Sequence, residues 1–163
     1  RNHSSAASDV YKRQIQIASP EKGGLFIDCT FGGGSYSNAL LKFPKTKVIG
    51  IDRDEAVISR ANELQKKYQK RFKFYQIKFS ELDKILNKNA DTIIFDLGLS
   101  SIQLKNLNRG FSFKSKNKLD MAMGLNNISA QEAINNLSEK HLKLIIKILG
   151  EETEASNLSL IHI

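Results

Sequence analysis

An apolar run that ends in an acid and opens into three consecutive glycines is the feature that most constrains this chain. Leu25-Phe26-Ile27-Asp28 is followed, after three further residues, by Gly32-Gly33-Gly34. A glycine-rich turn after a short buried strand lets the backbone approach a ligand closely, because glycine tolerates the dihedral angles that such an approach demands. The pattern predicts a strand, a ligand-binding loop and a following helix.

A second strand that ends in an acid follows, Val48-Ile49-Gly50-Ile51-Asp52, which places Asp52 18 positions after Gly34. A carboxylate at this distance from the loop can accept both hydroxyls of a ribose, so a nucleoside ligand is expected. The Asp28 carboxylate before the glycines would repel a pyrophosphate and would suit a positive charge. S-adenosylmethionine, which carries a sulfonium and an amino group, is therefore favoured over NAD. NADP is the poorest fit, because its ribose phosphate would meet Asp52.

Strand-like and helix-like segments alternate up to residue 96. Strands are predicted at residues 25–29, 47–52, 72–77 and 92–96, and helices at 36–43, 55–68 and 81–86. Continuous apolar runs are typical of parallel strands that are buried on both faces. The order predicts an α/β fold with a doubly wound, mostly parallel sheet. Asp28, Asp52 and Asp96 would lie at the carboxyl edge of that sheet, where such folds bind ligands.

Residues 97–118 are predicted to form a long loop, and two helices are predicted after it. Ser129 and Glu132 make a capping-box pattern before the first helix. The second is expected from about residue 139 to residue 149, with Gly150 as its C-cap. Asp54 is predicted to cap the helix that begins at residue 55.

Composition limits the classes of protein that the chain can represent. The net charge of +8 suits a polyanionic partner, although a lysine-rich composition gives the same excess. The single cysteine, Cys29, excludes a disulfide framework and is expected in the core. The three histidines are far apart, so no metal site is predicted. No apolar run of about 18 residues is present, which argues against a membrane span and favours a cytoplasmic location.

The most distinctive sequence begins at the fourth predicted strand. Ile93-Ile94-Phe95-Asp96-Leu97-Gly98-Leu99-Ser100-Ser101-Ile102-Gln103 leads to Arg109-Gly110-Phe111-Ser112-Phe113, and then to Leu119-Asp120-Met121-Ala122-Met123. These strings resemble the bacterial 16S ribosomal RNA cytosine-N-methyltransferase family, and the resemblance runs from about Gly24 to Thr153. It implies a Rossmann-like class I methyltransferase fold and S-adenosylmethionine as cofactor. The implied partner is 16S ribosomal RNA in the small ribosomal subunit, with a cytosine amino group as acceptor.

The resemblance also implies which residues bind the cofactor. They are Gly34, Ser35, Tyr36, Asp52, Phe79, Asp96 and Gln103. The loop residues would face the methionine portion, Asp52 the ribose and Phe79 the adenine. Asp96 and Gln103 would close the methyl-donor end. No catalytic residue and no oligomeric state follow from the sequence.

The resemblance suggests a domain division as well. Residues 15–110 would form the N-terminal part of the Rossmann-like domain, and residues 111–157 a loop and the start of an inserted helical substrate region. Residues 1–14 and 158–163 are interpreted as non-native, because they resemble translated sequencing adapters. Only part of such a sheet is predicted here, so we expect this chain by itself to be inactive or poorly soluble.

The sequence departs from the family pattern at Ser35, where glycine is usual, at Ile102 in place of proline, and at Ala122 in place of arginine. Two other functions stay open at this point: a non-catalytic RNA-binding scaffold and a nicotinamide oxidoreductase. The role of Arg109, Phe111 and Phe113 is also open. They could offer a cation and stacking faces to a splayed-out RNA base, or the two aromatic rings could pin the loop to the core.

Overall fold

The structure, a computed structural model, describes residues 3–125 and 128–161. The described residues form two compact units. The first, called here the sheet unit, contains the chain up to residue 102 together with residues 123–125; the second contains residues 103–122 and 128–161. The division at residue 110 expected from the sequence stays a prediction.

The sheet unit contains four strands: β1 (Gly24–Asp28), β2 (Thr46–Asp52), β3 (Phe72–Gln76) and β4 (Thr92–Ile94). All pair in parallel, in the order β3-β2-β1-β4. The chain therefore reverses its direction of winding between β1 and β4, where open α/β sheets bind ligands. This confirms the predicted α/β, Rossmann-like fold.

The helices occur in the predicted order, with one addition at each end and one in the middle of the chain. They are α1 (His3–Ala18), α2 (Ser35–Leu40), α3 (Ile58–Tyr68), α4 (Ser101–Lys105), α5 (Ala130–Asn136), α6 (Glu139–Leu149) and α7 (Ala155–Ile161). Short 3₁₀ helices lie at Pro20–Lys22, Glu55–Val57, Gln69–Arg71, Phe79–Lys84 and Leu107–Arg109.

Apolar side chains cover both faces of the central strands. Phe26 of β1 belongs to a buried cluster with residues of α2, α3 and the neighbouring strands. The next residue, Ile27, points to the opposite face, where it packs with Cys29 and Ile51. Burial on both faces explains the continuous apolar runs in the sequence. The prediction that Cys29 is a core residue is confirmed, since it is buried.

The start of α3 follows its sequence pattern. The Asp54 side chain accepts a hydrogen bond of 3.1 Å from the Ala56 amide, and this confirms the predicted cap. Val57, Ala61 and Leu64 are buried against the core, as the apolar spacing indicates. A 3₁₀ turn over Glu55–Val57 precedes the α-helix proper.

Two predicted elements in the sheet unit are wrong in extent or type. β4 ends at Ile94 rather than at Asp96, because its partner β1 ends at Asp28 and the Asp96 amide donates to the Thr30 hydroxyl instead of to a strand carbonyl. The helix predicted at residues 81–86 is a 3₁₀ helix over Phe79–Lys84. It departs from helical geometry at Glu81, whose carboxylate is engaged by Lys84.

The predicted loop at residues 97–118 is also partly wrong, since it contains α4 and a 3₁₀ turn. The prediction for α5 is confirmed. Ser129 accepts from the Glu132 amide at 3.1 Å, while Glu132 accepts from the Ser129 amide at 2.8 Å. The bounds predicted for α6 are confirmed as well, although its cap Gly150 keeps right-handed helical geometry.

Helix α1 covers most of the segment that was interpreted as non-native. Tyr11 and Ile15 on this helix pack against the main buried cluster. The interpretation of residues 1–14 and 158–163 as non-native stays a prediction. Among the described helices, none combines the length and the apolar character that a membrane crossing requires.

Candidate cofactor site

The glycine loop after β1 is anchored by an aromatic side chain. Phe31 is buried, and its ring packs against Phe72 and Phe74 with centroids 5.7 and 5.2 Å away. Gly50 of β2 makes room for this ring, because a Cβ there would lie 2.8 Å from it. The Phe31 ring therefore fixes the loop to the sheet, and the remaining residues of the loop lie at the carboxyl edge.

The glycines of the loop have different reasons to be glycine. Gly34 adopts φ +75°, and a Cβ on it would meet the Phe31 ring at 2.8 Å. Gly32 adopts φ +48°. Gly33 has ordinary dihedral angles, and a Cβ on it would meet nothing within 4 Å. The loop thus presents its backbone to open space at Gly33, which suits close approach of a ligand.

Asp52 connects the end of β2 to this loop. One carboxylate oxygen accepts a hydrogen bond of 2.8 Å from the Gly32 amide, and the other accepts one of 2.9 Å from the Asp54 amide. A carboxylate offers about four acceptor positions, so two stay available to ligand hydroxyls. Asp52 is partly exposed. Asp52, which is predicted to bind the ribose, is therefore also the residue that holds the loop in place.

Asp28 is placed differently from what the sequence suggested. Its side chain is fully buried, and Oδ2 accepts from the hydroxyl of Ser37 at 2.7 Å and from the Ser37 amide at 3.2 Å. Burial raises the pKa of this carboxyl to about 6, against the lowering effect of the bonds from Ser37 and of the Thr30 amide. Oδ1 is buried as well and has no hydrogen-bond partner among the described residues. The idea that Asp28 faces a positively charged ligand stays a prediction.

Asp96 lies at the same edge of the sheet, two residues beyond β4. Its backbone amide donates a 2.8 Å hydrogen bond to the Thr30 hydroxyl, and its side chain is exposed. The carboxylate is close enough to Tyr36 to help raise the pKa of the Tyr36 hydroxyl, second to burial. The structure thus brings the loop, Asp52 and Asp96 to one edge of the sheet, as the sequence predicts.

Ser35 and Tyr36 form the first turn of α2. Ser35 is exposed, so its Cβ is tolerated where the family has glycine. Tyr36 is buried, packs against Tyr11 with ring centroids 4.9 Å apart and planes tilted by 58°, and donates a hydrogen bond from its hydroxyl to Gln14. The Tyr11 hydroxyl donates to the Ser35 carbonyl at 3.1 Å. Helix α1 therefore packs over this end of the loop.

Phe79 follows β3 and is half-exposed, at 46%. Its ring meets the edge of Phe95 with centroids 5.5 Å apart and planes at 87°. A half-exposed ring at the carboxyl side of the sheet has a free face on which a flat heterocycle can pack.

Gln103 lies on α4 and is buried, at 6% exposure. It belongs to the second unit, in contrast to the six other predicted cofactor residues. The role at the methyl-donor end that the resemblance implies for Gln103 stays a prediction.

Two contributors, Thr30 and Arg60, and the bond from Gly32 to Asp52 were missed by the sequence interpretation. Thr30 accepts from Asp96, Gly32 donates to Asp52, and Arg60 of α3 donates from Nε to the Gly33 carbonyl at 3.3 Å. The Arg60 guanidinium also pairs with Glu63 at 2.7 Å. Thr30 is part of the pattern Asp28-x-Thr30-x-Gly32, which could have pointed to it. No local signal indicates that Arg60 reaches the loop.

Within the second unit, the structure separates the three residues that were proposed for RNA. Arg109 stacks on Phe111 with its guanidinium carbon 5.2 Å from the ring centroid, and it donates to the Ala122 carbonyl at 2.5 Å. Phe111 is buried, whereas Phe113 is fully exposed. Among the described residues, no group of histidine, cysteine, aspartate or glutamate side chains could hold a metal ion.

The sequence profile of the MraW methylase family matches residues 4–160. This chain belongs to the MraW methylase family. Its relatives there include proteins named ribosomal RNA small subunit methyltransferase H. The one from Orientia tsutsugamushi (strain Boryong) is 42% identical over 147 residues, which are 89% of this chain and 47% of that protein. The one from Rickettsia africae is 40% identical over 150 residues, 91% of this chain and 49% of that protein.

A third relative of the same name, from Afipia carboxidovorans, is 41% identical over 145 residues, which are 86% of this chain and 44% of that protein. The chain thus spans about half the length of the curated relatives it matches. One crystal structure from Clostridium thermocellum aligns with 48% of this chain and 44% of its own, at 20% identity and a TM-score of 0.44. That likeness is too slight to carry an argument. Membership of the MraW methylase family confirms the resemblance drawn from the motifs around Asp96 and Arg109.

Proposed function

We propose that the protein containing this chain transfers a methyl group from S-adenosylmethionine to the exocyclic amino group of a cytosine in 16S ribosomal RNA. The observation that carries the proposal is the Asp52 carboxylate, which holds the glycine loop through Gly32 and keeps acceptor positions free. The names of the relatives, which are small-subunit ribosomal RNA methyltransferases, support the choice of acceptor.

The residues at the carboxyl edge fit the cofactor. Asp52 would accept the ribose hydroxyls, and the half-exposed Phe79 would pack on the adenine. The backbone of Gly34 and the first turn of α2, with Ser35 and Tyr36, would hold the methionine portion. When bound, S-adenosylmethionine supplies a methyl group activated by a positively charged sulfur. Asp28 is left out of this assignment, because its carboxylate is buried against Ser37.

The residues of this chain would promote the reaction mainly by positioning the acceptor amino group. A cytosine amino group is a poor nucleophile, since its lone pair is delocalised into the ring, so close and correctly oriented approach provides much of the rate. The exposed Asp96 carboxylate is the group at this edge that could accept a hydrogen of the amine. No catalytic base is assigned. The target base must be unpaired or flipped out, as bases in ribosomal RNA loops can be.

The proposal extends to the organisation of the chain and to its setting. Residues 15–110 would carry the cofactor, and residues 111–157 would begin the substrate region. A partner in the small ribosomal subunit would place the protein in the cytoplasm.

Calorimetric titration of this chain with S-adenosylmethionine, and with NAD as the control, tests the proposal. We expect saturable binding of S-adenosylmethionine and no heat of binding with NAD. Binding of NAD alone would favour a nicotinamide oxidoreductase and refute the proposal. Binding of neither, with RNA still bound, would favour a non-catalytic RNA-binding scaffold. Transfer of a labelled methyl group to small-subunit RNA by a full-length relative, and its loss in the matching Asp52 variant, would test the acceptor.

A further inference from the structure

We propose that residues 112–118, called here the Phe113 loop, form a binding site for unpaired RNA, in which Phe113 stacks on a base and the lysines pair with the neighbouring phosphates. The inference rests on the proposed function, which makes RNA the substrate class, and it assigns the contact to a specific loop of the second unit. It goes beyond the cofactor residues, none of which lies in this loop.

Phe113 is the first observation. Its side chain is more exposed than in an extended chain, at 112%, although apolar rings are normally at least partly covered. Phe111, two residues earlier, is buried and covered by the Arg109 guanidinium. The loop is therefore already pinned by Phe111, and Phe113 is not needed to hold it. An aromatic ring left uncovered by the described residues is available as a stacking platform, and base stacking on such rings is tolerant of sequence.

The charge around Phe113 is the second observation. Lys114, Lys116 and Lys118 alternate along the loop, and all three are exposed. From residue 97 to residue 119 the sequence contains no aspartate or glutamate. Lys114 and Lys116 therefore meet no acidic residue within their own segment, whereas Lys118 borders a cleft that also contains Asp120 and Glu132. A nucleic acid backbone supplies anions for exposed cations of this kind.

The loop is held in shape by its own hydrogen bonds. The Ser115 amide donates to the Ser112 carbonyl at 2.9 Å, and the Ser115 hydroxyl donates to the Leu107 carbonyl at 2.5 Å. The Lys114 amide donates to the Ser112 hydroxyl at 3.2 Å. A loop that is ordered before binding loses less conformational freedom when a ligand is bound, so the aromatic ring and the cations are presented together.

Polar groups that can recognise a nucleotide lie beside the end of the loop. Lys118 borders an open cleft of about 380 Å³ whose lining includes Asp120, Gln131 and Asn135. Amide and carboxylate groups of this kind hydrogen-bond to base edges and sugar hydroxyls. A stacking ring, alternating cations and a polar cleft together favour unpaired RNA as the ligand. An anionic lipid surface is disfavoured, because proteins bind such surfaces through the apolar face of a helix.

The test measures binding of a fluorescently labelled, unstructured RNA 12-mer containing cytosine to this chain, by anisotropy at several salt concentrations. We expect F113A to weaken binding roughly 5- to 150-fold and F113W to restore it. A fully paired duplex should be bound more weakly than the single strand, and the difference should shrink in F113A. Because Phe113 is exposed, neither substitution removes core packing, and circular dichroism checks the fold.

The lysines are tested by the triple variant K114Q/K116Q/K118Q. We expect the slope of log affinity against log salt to become shallower by about 2, since each phosphate contact on a single strand contributes about 0.7. The matched control K66Q/K70Q/K73Q removes the same charge from exposed positions of the sheet unit and should leave the slope nearly unchanged.

Three results would each overturn the inference. F113A could bind RNA within twofold of the parent, or the two triple variants could lose affinity for RNA equally. The third is that F113A abolishes binding to phosphatidylserine vesicles while its binding of RNA persists. Titration with S-adenosylmethionine separates this failure from that of the proposed function. If F113A binds both S-adenosylmethionine and RNA as the parent does, only the proposal about the Phe113 loop is refuted. If the parent chain does not bind S-adenosylmethionine but F113A weakens RNA binding as expected, only the methyltransferase proposal is refuted.

Discussion

At the scale of single residues, Asp28 shows how strongly environment changes the role of a carboxyl group. Its position before the glycines suggested a surface charge for the ligand. In the structure it is buried, and its Oδ2 accepts two bonds from Ser37 at the start of α2. Desolvation is the largest cause of its raised pKa, and the Ser37 bonds oppose it. The residue therefore joins β1 to α2 through Oδ2.

This environment predicts a pH dependence of stability. The folded pKa of Asp28, about 6, lies above the ordinary value of 3.8, so the native state binds this proton more tightly than the unfolded state does. The contribution to the free energy of unfolding is therefore present below about pH 4 and is lost as the pH rises to about 6. The total change is on the order of 3 kcal/mol.

Urea unfolding of the parent chain and of Asp28→Asn between pH 4 and pH 7 measures this effect. The difference in the free energy of unfolding between the two proteins should change with pH across that window, because all other titrating groups cancel. A difference that is constant with pH would show that Asp28 titrates normally in the folded protein.

Asp52 combines two roles that substitution can separate. We predict that Asp52→Ala weakens binding of S-adenosylmethionine by about tenfold to a hundredfold, since one charge-assisted bond to a ribose hydroxyl contributes roughly 1.5–3 kcal/mol. The same change removes the acceptor of the Gly32 amide, so the loop also loses its anchor.

Asp52→Asn is the matched control, because its amide oxygen still accepts one backbone bond. We expect it to keep most of the thermal stability while the dissociation constant, measured by calorimetry, still rises. An unchanged dissociation constant in both variants would remove Asp52 from the cofactor site.

At the scale of elements, the glycine loop gives a prediction through two adjacent glycines. In Gly34→Ala the new Cβ would meet the Phe31 ring at 2.8 Å, with φ at +75°. We expect a loss of about 1–2 kcal/mol in the free energy of unfolding, because both the left-handed backbone and the contact are unfavourable. In Gly33→Ala the Cβ would meet nothing within 4 Å, so stability should change by less than about 0.5 kcal/mol.

Cofactor binding should respond in a different way from stability. The Gly33 Cβ would occupy open space beside the loop backbone, so Gly33→Ala should weaken S-adenosylmethionine binding although the protein is as stable as the parent. Urea unfolding and calorimetry on both variants test this pair. Full affinity in Gly33→Ala would mean that the ligand does not approach the loop at this residue.

At the scale of the whole molecule, the exposed edge of the sheet limits how this chain behaves in solution. β4 pairs with β1 on one side, and Ile93 on the strand and Phe95 directly after it are 44% and 47% exposed. An apolar strand at a sheet edge offers unpaired backbone groups to another copy of the chain. The expectation of poor solubility stays a prediction, and this edge is the feature through which it can be tested.

We predict that Ile93→Lys reduces self-association, because a charged side chain on an edge strand opposes strand pairing between molecules. Light scattering over a range of protein concentrations measures the effect. Asn87→Lys adds the same charge at an exposed position away from β4 and serves as the control. Equal improvement in both variants would indicate that net charge, rather than the strand edge, governs association.

The sequence by itself determined the succession of strands along the chain, the glycine loop and the caps at Asp54 and Ser129. It also determined that Asp52 and Asp96 lie at one edge of the sheet. These features follow from local patterns, since apolar runs, turn residues and capping pairs act over a few positions. The distinctive strings around Asp96 and Arg109 were also sufficient to indicate the family.

Only the tertiary structure decided which of these residues are covered by others. Asp28 is buried, β4 ends two residues before Asp96, and Arg60 reaches the loop from a helix. Phe111 and Phe113 have the same chemistry and nearly the same position in the sequence, yet one is buried and the other is exposed. Burial and pKa depend on the segments that pack around a group, and those segments are distant in the sequence; no local pattern contains that information.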